Sequence, residues 1–96
     1  MMRWMESHTK KQIKEYLRSI GAYYTSPPGG AFGTNGTPDI IACINGRFVG
    51  IEGKYAYGEQ SGWQEGRQKK IEEAGGIYIV AYSVEYVRNV IEREIL

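Results

Sequence analysis

Cysteine is almost missing from this sequence: Cys43 is the single one in 96 residues. One thiol makes no internal disulfide and no Cys-rich zinc site, and its place in an apolar run predicts a buried thiol without a role. Histidine is as scarce. His8 has no other ligand types beside it, which argues against a His-based metal site or catalytic triad. No apolar run approaches the roughly 20 residues of a membrane span, and the stretch around Arg3, Trp4 and Glu6 lacks the apolar segment of a signal peptide. A cytoplasmic protein without a membrane partner is therefore expected. An excess of one charge is missing too: the net charge is +1, so composition does not announce a nucleic-acid binder as a strongly basic domain would. Gly29-Gly30-Ala31-Phe32-Gly33 lacks the lysine and the helix that follow a phosphate-binding loop, so no nucleotide cofactor is expected. It reads as a connection near the substrate.

What is present suits one domain spanning 1–96. Hydrophobic residues make up 42% and charged residues 24%, the balance of an ordinary globular chain. Ile13, Tyr16, Leu17 and Ile20 share a helical face and Gly21 follows, predicting a helix over Met5 to Ile20. Ala22 to Thr25 reads as a short strand ended by Pro27 and Pro28, and 29–37, with four glycines, as a loop. Ile40 to Ile44 and Arg47 to Lys54 flank Asn45-Gly46, the strongest short hairpin signal, and the continuous apolar run of the first strand predicts burial on both faces. Ser61 to Gln64 fits a capping box for a helix reaching Ala74, stopped by Gly75-Gly76. Ile77 to Tyr82 reads as a central strand, and Ser83 caps a last helix whose Val84, Val87 and Ile91 share a face. Most of the eight tyrosines are expected in core or half-buried positions. The fold class is α/β, a mixed sheet flanked by helices.

If Asn45 and Gly46 are the central turn residues, paired residues have numbers that add to 91, and Asp39 falls opposite Glu52. Opposed residues share a face with Cβ atoms about 4.5 to 5.5 Å apart, and the two-residue period adds Lys54 to that face. Facing carboxylates repel, so such a pair calls for a cation or a shared proton. A hard divalent ion such as Mg²⁺ suits two carboxylates, with the Gly53 carbonyl as a further oxygen. Such an ion polarises a phosphate and acidifies water, while Lys54 would orient the attacking water or neutralise developing charge. The same spacing reads equally as a surface cluster in which Lys54 bridges two acids, worth little by itself.

Gly36-Thr37-Pro38-Asp39 and, twelve residues after Asp39, Ile51-Glu52-Gly53-Lys54 resemble the PD…(D/E)XK pattern of the restriction-endonuclease-like superfamily. The chain is similar to one branch, the virus-type replication-repair nuclease (VRR-NUC) domain, including Gln64 placed eleven residues before Gly75. The superfamily core of helix, three strands, helix and strand matches the order read above, with an extra C-terminal helix. The resemblance implies that Asp39, Glu52 and the Gly53 carbonyl bind Mg²⁺ or Mn²⁺ and that Lys54 serves the nucleophilic water. It implies that Gln64 touches that water or the DNA, and that Glu6 is the helical acid near the metal. Glu6 also falls on the apolar face of the first helix, seven residues before Ile13; the other reading is a helix that starts at Ser7 and leaves Glu6 at a frayed end. One departure stands out: the position of Gly53 is usually bulky and apolar in the family.

The expected activity is metal-dependent endonucleolytic cleavage of DNA, with Lys10, Lys14, Arg67 and Lys70 as phosphate contacts. A chain this small offers little surface for a duplex, so a homodimer is expected. Branched substrates such as a four-way junction, a part in DNA repair and a phage origin are what the resemblance implies. Two other readings stay open: a nucleic-acid-binding module that keeps the fold but cuts poorly, and a dimerising interaction domain.

Overall fold

A computed structural model describes residues 7–27, 38–53 and 62–96, the last segment without the side chains of 62–64. The elements run α1 (Ser7–Ser19), β1 (Tyr23–Thr25), β2 (Ile40–Ile44), β3 (Arg47–Gly53), α2 (Gly62–Glu73), β4 (Ile77–Ala81) and α3 (Val84–Glu94). This is the expected order. Among the described residues the strands form one four-stranded sheet in the order β1-β2-β3-β4, antiparallel except for the parallel β3–β4 pair. The parallel pair is joined through α2, as a parallel connection requires.

Local chemistry explains where the elements stop. α1 ends at Gly21, whose φ of +78° suits a residue without a Cβ, and the N–H groups of Gly21 and Ala22 close back on the carbonyls of Arg18 and Leu17. Gly75 at φ +96° ends α2 in the same manner, with Gly75 and Gly76 returning to Glu72 and Ile71. Ser83 caps α3, its hydroxyl accepting the N–H of Tyr86 at 3.3 Å. At the hairpin, Asn45 and Gly46 have φ of 51° and 81°, the pair of positive values a type I′ turn demands. The register from Ile44↔Arg47 to Ile40↔Ile51 has numbers adding to 91 throughout.

Strand alternation then divides the sheet into two faces. Ile40, Ala42, Ile44, Val49, Ile51, Ile79 and Ala81 point to one face, where Ile13 and Leu17 of α1 and Val84, Val87, Val90 and Ile91 of α3 complete the core. Ile41, Cys43, Phe48, Gly50, Glu52, Tyr78 and Val80 belong to the other.

Three expectations fail here. β2 is not buried on both faces, because Ile41 is half-buried and Cys43 exposed, which also overturns the expectation of a buried thiol. Among the described residues, α1 and α3 take the core face and α2 packs along β4, so no described helix covers Cys43. The strand buried on both faces is β3, from Val49 to Gly53. β4 is not central either: among the described strands it pairs with β3 alone, and its apolar run reflects packing against α2 and α3. Of the six described tyrosines, Tyr16, Tyr24 and Tyr78 are half-buried or buried, and Tyr23, Tyr82 and Tyr86 are exposed. The first six residues, the loop 29–37 and Ser61 of the capping box lie outside the described residues, and among those described no helix is long and apolar enough to cross a membrane.

Candidate active site

The open end of the β2–β3 hairpin gathers the acidic residues. Asp39 immediately precedes β2, so the ladder stops one step short of pairing it with Glu52. Its carboxylate turns to a different partner: Oδ2 accepts the main-chain N–H of Gly53 at 2.9 Å. Hairpin geometry accounts for this bond. Outward from Ile44 and Arg47, every second opposed pair exchanges hydrogen bonds, so the N–H of Gly53 points across at position 38. Pro38 has no N–H to donate to the Gly53 carbonyl, so the pair cannot close in the ladder's manner, and the Gly53 N–H goes to the carboxylate of the next residue. The main chain of Asp39 is held as well, since Ser26 just beyond β1 donates its hydroxyl to the Asp39 carbonyl at 3.0 Å.

Glu52 sits in β3 beside Gly53, on the face away from the core cluster, and is nevertheless only 4% exposed. Burial of a charge is expensive unless opposite charge or hydrogen bonds compensate, so such a group is seldom kept for packing alone. The N–H and C=O of an extended residue point to the same side of the strand, which directs the Gly53 carbonyl toward the Asp39 side. The Asp39 carboxylate and the Gly53 peptide therefore share one strand end, where Glu52 is the preceding residue of β3. That all-oxygen donor set fits Mg²⁺ or Mn²⁺ in type. Among the described residues no cluster of three or more His, Cys, Asp or Glu side chains adds to it.

Of the residues expected at the site, Asp39 and Gly53 are joined by a hydrogen bond, and Glu52 precedes Gly53 in β3. Glu6 and Lys54 lie outside the described residues, and Gln64 is placed only by its main chain in the first turn of α2. Lys10 and Lys14 are half-buried on α1, Arg67 half-buried on α2, and Lys70 exposed in the last turn of α2. α1 packs on α3 and β1 while α2 packs along β4, so these cations form two separate patches.

Sequence reasoning missed Ser26 and Gly50. Ser26 carries no local signal, because its partner lies thirteen residues away. Gly50 did carry one, since a glycine inside an apolar strand marks a close approach. A Cβ there would stand 2.9 Å from Cγ of Pro38.

Compared with solved structures, the chain matches one described as a "VRR_NUC domain", with a TM-score of 0.74 over 93% of this chain and 96% of that one. Identity is 21%, so the likeness is one of fold, and that fold is the α/β arrangement expected from the sequence. The sequence matches no family model and no curated protein.

Proposed function

We propose that the chain is a single nuclease domain that hydrolyses phosphodiester bonds of DNA with the help of Mg²⁺ or Mn²⁺. The observation that carries this reading is the bond of the Asp39 carboxylate to the Gly53 N–H next to the buried Glu52, in a fold shared with a solved VRR_NUC domain. Asp39, Glu52 and Gly53 would hold the ion, which when bound supplies electrophilic pull on the phosphate and acidifies water.

The protein's own groups do the rest. The Gly53 N–H keeps the Asp39 carboxylate oriented before substrate arrives, so little reorganisation is needed at the site. Burial keeps bulk water from Glu52 and strengthens its attraction for a cation. Lys54 orients the attacking water or neutralises charge on the phosphate, Gln64 contacts that water or the DNA, and Glu6 is the further acid of the site. Lys10, Lys14, Arg67 and Lys70 contact backbone phosphates. Glycine at 53 is compatible with this work, because both groups it contributes are main-chain groups.

A homodimer acting inside the cell on duplex or branched DNA, including four-way junctions, completes the reading. The competing reading, a binding or dimerising module that keeps the fold without cutting, draws on the loss of side-chain packing at Gly53. Labelled linear, flapped and four-way DNA incubated with and without Mg²⁺ or Mn²⁺ separates the two. Metal-dependent products are expected, reduced roughly a hundredfold or more by Glu52→Gln and by Lys54→Ala. Products that persist unchanged in both variants would sink the assignment, and salt-sensitive binding without products would favour the module.

A further inference from the structure

Gly50 sits inside β3, where glycine weakens a strand by giving up propensity and packing. Gly21, Gly46 and Gly75 adopt positive φ and Gly50 does not, so backbone freedom is not what this position requires. Space is. Gly50 lies opposite Ile41 and beside Tyr78, on the face that carries Glu52. A Cβ at this position would stand 2.9 Å from Cγ and 3.4 Å from Cβ of Pro38, and 3.4 Å from Cδ1 of Tyr78. The shortest of these is inside van der Waals contact, so the buried ring of Pro38 occupies the space a side chain would need.

That ring cannot swing aside like the tip of a flexible side chain. Its Cγ can give only by a change of ring pucker, and any larger shift displaces the peptide that leads into Asp39. Asp39 is held by its carboxylate on the Gly53 N–H and by its carbonyl under the Ser26 hydroxyl. A shift of Pro38 therefore reaches the carboxylate directly.

We propose that Gly50 is a positioning residue for the candidate active site: its missing side chain seats the Pro38 ring, and the seated ring sets the Asp39 carboxylate against the Gly53 N–H and beside Glu52. The effect on cleavage rests on Asp39 and Glu52 being metal ligands. The seat does not.

Gly50→Ala and the pair Gly50→Ala/Pro38→Ala, made in the full chain, test both. The Gly53 amide resonance in ¹H–¹⁵N spectra reads the seat whether or not the protein cuts, with Asp39→Ala marking its position when the bond is lost. In Gly50→Ala the resonance moves toward that position. Mn²⁺-dependent cleavage at saturating DNA falls roughly ten- to hundredfold, the size of effect a sub-ångström to 1 Å misplacement produces. DNA affinity without metal stays within about twofold, as expected of contacts far from the change. Removing the ring in the pair returns the resonance, and it returns cleavage to within about threefold of Pro38→Ala alone. An unmoved Gly53 amide in Gly50→Ala, or a pair no better than the single variant, overturns the proposal. Should Gly50→Ala fail to fold, a folded pair supports the seat and an unfolded pair overturns it. Lack of any metal-dependent product from the unaltered protein would remove the nuclease reading, while the amide resonance still decides the seat.

Discussion

A carboxylate that accepts a peptide N–H does two jobs at once, and Asp39 allows them to be separated. Asn in its place retains an acceptor oxygen for Gly53 but no charge, whereas Ala leaves the strand-end N–H without its side-chain acceptor. Hydrogen bonds to charged groups contribute about 1.5 to 3 kcal/mol, so Asp39→Ala is expected to lower unfolding free energy by that order and Asp39→Asn by less. Denaturant melts of the two variants check this, and cleavage should be lost in both. Tyr16, between α1 and α3, poses a different question. Its ring lies under Arg88 at 5.3 Å, while its buried hydroxyl makes no hydrogen bond among the described residues. Burial and then the charge of Glu92 push its pKa above the ordinary tyrosine value, with Arg88 opposing. Because the folded state holds this proton more tightly than the unfolded state, the contribution is fully present below the ordinary tyrosine pKa of about 10 and is lost as pH rises through the raised value. Tyr16→Phe keeps the ring and removes the hydroxyl. Stability at pH 8 should be unchanged or higher by up to about 1 kcal/mol, and the alkaline loss of stability should shrink in urea melts.

At the scale of elements, Arg47 ties three of them together. From the first position of β3 its guanidinium donates to the Gly75 carbonyl at 3.1 and 3.3 Å, just past the end of α2, and to the Glu94 carbonyl of α3 at 3.5 Å. Both acceptors stand at helix C-termini, where the macrodipole favours a cation. Arg47→Ala is expected to reduce stability by about 1 to 2 kcal/mol through these lost bonds and the lost packing of the stem. Cleavage per folded molecule should survive, since five strand residues put Arg47 roughly 16 Å from Glu52. A large fall in activity with little change in melting would contradict this division between the two ends of the hairpin. The turn contributes on the same scale: Gly46→Ala, at φ +81°, should cost about 1 to 2 kcal/mol.

For the whole molecule, charge decides how DNA can be held. A net charge of +1 supplies little long-range attraction, so affinity has to come from local patches such as those on α1 and α2. Each phosphate contact contributes about 0.9 to the slope of log affinity against log salt. Lys10→Ala with Lys14→Ala should flatten that slope by up to about 2, measured by fluorescence anisotropy over a salt series. An unchanged slope would place the DNA elsewhere. Specific DNA interfaces bury about 1,000 to 2,500 Å² of protein, a large share of the 6022 Å² this chain exposes. That ratio is the argument for two copies, and sedimentation of the free protein and of its DNA complex tests it.

What the sequence alone determined was whatever depends on residues a few positions apart. Asn45-Gly46 decided the register of the hairpin, and with it the hairpin end that carries Asp39 and Glu52. Gly21, Gly75 and Ser83 decided where helices stop and start, because backbone angles and caps answer to local chemistry. Tertiary structure decided everything that depends on what lies above a strand. Cys43 and Ile40 belong to the same apolar run, yet one is exposed and the other buried, since among the described residues α1 and α3 pack on the face that holds Ile40. β4 reads as central and stands at the edge of the described sheet, because covered faces and paired edges leave the same apolar signature. The turn of the Asp39 carboxylate to Gly53, the Ser26 tie and the seat of Pro38 on Gly50 are contacts between segments distant along the chain, set by packing and not by spacing.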